Sequence, residues 1–179
     1  MFSFRLQWGD ILRHGLVLSA GFTAVVLLSY WIEPLVWAND FPPEVQDALG
    51  PIPPSARWFG VVVFVSILSM LFGVPYRLGR KLRKQGGEAS SFASVFIHAL
   101  LVLMLLNVWD LLVVDIFIFG VLKPDFMMIV EAKEWLVENV TTAFHVQAFF
   151  IGVPILVAIA LAASACAATA PGQTAALLR

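Results

Sequence analysis

Two carboxylates, Asp110 and Asp115, stand in an otherwise apolar run from Phe92 to Leu122. A charge near the centre of a bilayer costs roughly 2.5 to 3.5 kcal/mol on insertion scales, so each is expected to face protein or water. Intramembrane carboxylates and histidines are the groups that relay protons or hold cations in transporters. At about 100° per residue the two lie about 140° apart on an α-helix, with Asn107 between them, and form one polar arc. At a rise of 1.5 Å, Asp115 is about 12 Å and Asp110 about 20 Å along the axis from Lys123. Glu33, just before Pro34, and His145 and Gln147, entering the last apolar run, reach the same half of the chain's apolar thickness. The expected site is therefore an outward-opening pocket of Asp110, Asp115, Asn107, Glu33, His145 and Gln147, binding or moving a proton, a cation or a small polar solute.

Other chemistries have weaker signatures. The carboxylates and His145 are suitable metal ligands but lack a diagnostic spacing, and His14 and His98 could hold a haem only if other features demanded it, so neither metal nor cofactor is expected. The chain has no Gly-x-Ser-x-Gly elbow, no His-Glu-x-x-His helix and no glycine-rich phosphate loop, which ranks a membrane-embedded enzyme third. A lone cysteine, Cys166, excludes an internal disulfide and paired-cysteine redox chemistry. The second chemical cluster is basic: Arg77, Arg80, Lys81, Arg83 and Lys84. It reads first as a topology determinant and second as a contact for anionic lipid headgroups.

The elements that carry these groups follow from composition. Of 179 residues, 60% are hydrophobic and 13% charged, with a mean hydropathy of +0.90. Soluble domains hold about 25% charged residues, so the chain reads as an all-α integral membrane protein. A net charge of −1 excludes a basic nucleic-acid surface. Four runs, 15–37, 58–76, 92–122 and 144–168, reach the roughly 20 residues a helix needs to cross about 30 Å of hydrocarbon. The first resembles a signal peptide but its apolar core is too long, and it is expected to remain as a span. The third exceeds one crossing and must tilt, break or project.

Between the spans lie a proline-rich acidic segment (38–57), a basic one (77–91) and an acidic one (123–143). Cytoplasmic loops hold the excess Lys and Arg, which puts both termini on the cytoplasmic side. Trp31, Trp37, Trp58 and Trp135 at one interface and Trp8 and Tyr76 at the other read as aromatic anchors. Residues 130–139 alternate well enough for a short surface helix, and Asn139-Val140-Thr141 fits the glycosylation pattern. Small residues from Ala158 to Ala168 permit close helix contact, within the bundle or between copies. The expectation is a four-helix transmembrane bundle of a bacterial inner membrane, alone, as a homo-oligomer or in a larger complex. In that last setting the polar groups would only fix helix packing.

Overall fold

The computed structural model of the chain describes residues 6–40, 43–86, 90–127, 129 and 142–169. Its described elements are helical throughout, and four helices are long and apolar enough to cross a membrane. They are α1 (Trp8–Ile32), α3 (Pro54–Gln85), a composite third helix (α4, Phe92–Trp109, continued by a π-helical segment, Asp110–Leu122) and α5 (Thr142–Thr169). A 3₁₀ turn (Pro34–Asp40) and the short α2 (Pro43–Leu49) bridge α1 to α3, and a second 3₁₀ turn spans Asp125–Met127. The proposed surface helix, the glycosylation triplet and Trp135 lie outside the described residues.

Helix boundaries differ from the apolar runs for local reasons. The first helix stops at Ile32 rather than residue 37, because Glu33 precedes Pro34 and a residue before proline is pushed out of the α region; Glu33 has φ −157° and ψ 86°. Proline at the first position of α3 costs no hydrogen bond, since that N–H is unpaired in any helix. The same helix continues nine residues past Tyr76, so Arg77 to Lys84 are helical and not a loop as the apolar run alone implied. Arg and Lys are good helix formers, and cations complement the negative end of the helix dipole. Gly86, at φ 71°, then ends α3 in a conformation that an L side chain resists. Ser91 caps helix α4, its side chain accepting from the Ser94 N–H at 3.1 Å.

The larger core cluster lies toward the end that carries the basic residues, where Leu18, Leu78, Leu82, Val95, Ala99 and Ala160 are fully enclosed. Gly79 marks the closest crossing: a Cβ there would stand 2.8 Å from Val95 Cγ1 and 2.9 Å from Ala167 Cβ. Ala160, Ala163 and Ala167 are buried against the other helices, so one face of the small-residue pattern is used within the bundle, while Ala158, Ala162 and Ala165 remain exposed.

A smaller cluster of Val26, Tyr30, Val114 and Met127 closes the opposite end. Tyr30 stacks on Trp37 at 5.5 Å and meets Phe119 edge-on at 5.2 Å, and Trp37 Nε1 donates to Ser29 Oγ at 3.0 Å. Trp37 is therefore a packing residue and differs from Trp31 and Trp58, which are 70% and 73% exposed. Only 11% of the most apolar window of α3 is buried inside the fold, so its hydrophobic surface points outward.

Candidate functional site

The backbone changes its winding at Asp110, the first of the two carboxylates. From Asp110 to Leu122 the hydrogen bonds run i→i+5, which turns fewer degrees per residue than an α-helix. Residues five apart are thereby brought back toward one face, and the angle of about 140° that α-helical geometry gives for Asp110 and Asp115 does not apply. The axial rise per residue shrinks for the same reason, so the depths counted from Lys123 are also too large. Lys123 closes the segment in the left-handed region (φ 45°), its N–H donating to the Ile118 carbonyl at 2.9 Å.

The new winding aims Asp115 at α5, where His145 Nδ1 stands 3.2 Å from Asp115 Oδ2. A carboxylate accepts, so the neutral imidazole carries its proton on Nδ1. His145 is buried, and its Nε2 has no hydrogen-bond partner among the described residues. Asp110 is partly buried and lies within electrostatic range of both Asp115 and His145. Two carboxylates and an imidazole with an open basic nitrogen thus share one helix–helix seam.

Asn107 lies further along the same seam, where its Nδ2 donates to the Phe149 carbonyl at 3.3 Å. Two residues of α5 shape that contact. Pro154 has no N–H for the carbonyl four residues earlier, which loosens the turn around Phe149 and Phe150. Gly152 leaves room, since a Cβ there would stand 3.3 Å from Asn107 Oδ1. His145, Phe149 and Gly152 recur at i, i+4 and i+7 and form one stripe of α5. On the opposite side, Trp109 Nε1 donates to Thr23 Oγ1 at 3.1 Å and ties this level of the third helix to α1.

Of the six expected residues, the structure pairs Asp115 with His145, leaves Asp110 within electrostatic range of both, and sets Asn107 on the same seam. Gln147 is exposed, because two residues turn an α-helix by about 200° and carry it away from His145. Glu33 Oε1 accepts from the Leu35 N–H at 3.3 Å, a local bond that holds the turn after α1, and the structure shows no contact between it and the pair. Gly152, Pro154 and Trp109 were not among the expected site residues. Gly152 and Pro154 carried a signal as helix-interior glycine and proline.

The histidines at the other end are committed to the backbone. His98 is fully buried, with Nδ1 2.8 Å from the Ser94 carbonyl and Nε2 accepting from the Gln7 N–H at 3.0 Å, while His14 Nδ1 is 2.7 Å from the Asp10 carbonyl. No group of three His, Cys, Asp or Glu side chains among the described residues converges as a metal shell would require. Compared with known proteins, the chain matches no family model, and no curated protein or solved structure shows significant similarity to it.

Proposed function

We propose that the chain is a multi-pass protein of a bacterial inner membrane, both termini cytoplasmic, in which Asp115, His145 and Asp110 bind and pass a proton. The observation that carries this reading is the Asp115–His145 pair with the second ring nitrogen buried and unpartnered among the described residues. A proton taken up at Nε2 converts the imidazole to an imidazolium already facing a carboxylate, with Asp110 within electrostatic range as the second acceptor of the proposal. A larger cation is disfavoured because the three groups do not converge on one point. The outward apolar surface of α3 supports insertion, and the clustering of Arg77 to Lys84 at one end supports the orientation.

Proton uptake into liposomes with an imposed potential, read by an entrapped pH dye, tests the reading. Wild type is expected to acidify the lumen, and Asp110→Asn and His145→Gln to fall to the rate of empty vesicles. Equal uptake by wild type and both variants, or none by wild type, removes the proton reading. A second reading treats the chain as a structural subunit of a larger membrane complex. It is favoured by Asn107 and Trp109, whose bonds to Phe149 and Thr23 join helices without offering chemistry.

A further inference from the structure

The basic end of α3 carries a concavity of about 470 Å³ lined by Arg77, Arg80, Lys81, Lys84 and Gln85. That volume is within the roughly 300 to 1,000 Å³ of small-molecule sites and is too large for a few waters at about 30 Å³ each. At about 100° per residue, Arg77, Arg80, Lys81 and Lys84 fall within an arc of roughly 100°, so four cations of one helix face one space. Arg83 is turned roughly 120° from Arg77, is half-buried, and does not line it.

The four cations are not equivalent. Lys81 Nζ lies 2.7 and 2.6 Å from the two carboxylate oxygens of Asp10, which neutralises it and ties α3 to α1. Gln85 Oε1 likewise accepts from Gln7 Nε2 at 2.7 Å. Those two contacts fix one wall, while Arg77, Arg80 and Lys84 face the cavity with a net positive charge that no described carboxylate pairs.

We infer that this cleft binds a phosphate group, through the guanidinium forks of Arg77 and Arg80 and the ammonium of Lys84. A guanidinium matches two phosphate oxygens at once, and a lysine adds a point charge. The site begins directly after Tyr76, where the apolar stretch of α3 ends, so in the proposed membrane setting the phosphate belongs to a lipid headgroup. The inference rests on that setting only for the source of the phosphate.

The test measures dissociation constants of the purified full chain in detergent for two probes, dihexanoyl phosphatidic acid and inorganic phosphate, with dihexanoyl phosphatidylcholine as control. Phosphatidic acid is expected to bind, and the triple variant Arg77→Gln/Arg80→Gln/Lys84→Gln to weaken it by about tenfold or more, since each cation near an anionic surface is worth about fivefold. Arg57→Gln removes an exposed cation at the opposite end of α3, away from the cleft, and is expected to stay within about twofold. If the triple variant fails to fold, Lys84→Gln alone, at an exposed position, is expected to weaken binding about fivefold. Tighter binding of the lipid than of inorganic phosphate assigns the site to headgroups, and equal binding assigns it to a soluble phosphate. The inference is overturned if neither anion binds, if the triple variant binds as wild type does, or if Arg57→Gln costs as much as removing the three cations.

Discussion

His145 has its Nδ1 engaged and its Nε2 without a partner among the described residues, whereas both ring nitrogens of His98 meet backbone groups, and the proton reading rests on that asymmetry. Removing either partner of the Asp115–His145 pair leaves the other unsatisfied, at a cost of about 1 to 3 kcal/mol. His145→Leu is therefore expected to lower the thermal midpoint measurably, and Asp115→Leu/His145→Leu to cost less than the sum of the single changes; additivity in a thermal-melt cycle would show that the pair contributes nothing. Asp110→Asn preserves size and hydrogen bonding, so the melting temperature is expected to stay within error of wild type while proton uptake is lost. A melting change with unaltered uptake would place Asp110 in packing instead. The polar residues themselves were legible in the sequence because charge in an apolar run is conspicuous. The partner of each was not, since Gln147 and His145 differ by two positions and only helix rotation decides which one meets Asp115.

The four long helices were visible in the sequence as apolar runs, whereas the π segment was not. An i→i+5 ladder changes no residue type and leaves only a rotated contact pattern as its trace. Its geometry can be checked by cross-linking in a Cys166→Ala background. Asp115→Cys with His145→Cys is expected to link through a short bifunctional thiol reagent, and Phe117→Cys, at an exposed position, with His145→Cys is not. The reverse outcome would mean that residues 110–122 wind as an α-helix. The Gly79 crossing gives a second prediction. Gly79→Val must push Val95 or Ala167 aside, and overpacking of that kind costs about 1 to 3 kcal/mol, read as a lower melting temperature. Gly73, which has nothing within 4 Å of an added Cβ, is expected to accept alanine without loss.

Taken as a whole, the molecule has two unlike ends: at one, Gln7, Asp10, Lys81 and His98 lock the helices together, and at the other an aromatic cluster around Tyr30 closes α1 against the π segment. The expected orientation rests on loop charge alone, and the longer α3 leaves that expectation unchanged. The five cations count toward the same side whether they are helical or not. Single cysteines at Gln46 and Gln85 in the Cys166→Ala background are expected to divide cleanly in sealed cells: the first reacts with an impermeant maleimide and the second does not. Labelling at Gln85 alone would reverse the orientation and with it the direction of any proton movement.

Thirty-one residues wound entirely as α-helix would measure about 46 Å, against roughly 30 Å of hydrocarbon. The π segment takes up part of that excess by making the helix wider and shorter, so the third helix has a length that depends on its winding. In the proposed membrane setting, a thicker bilayer would favour the longer α form and a thinner one the π form, with mismatch worth fractions of a kcal/mol per Å. Asp115 rides on the part that changes, so rewinding would rotate it off His145. If the proton reading holds, acyl-chain length would act on the pair as a ligand does: uptake is expected to differ between vesicles of 14-carbon and 20-carbon lipids, and equal uptake in both would mean that the winding is fixed and the third helix is no thickness gauge.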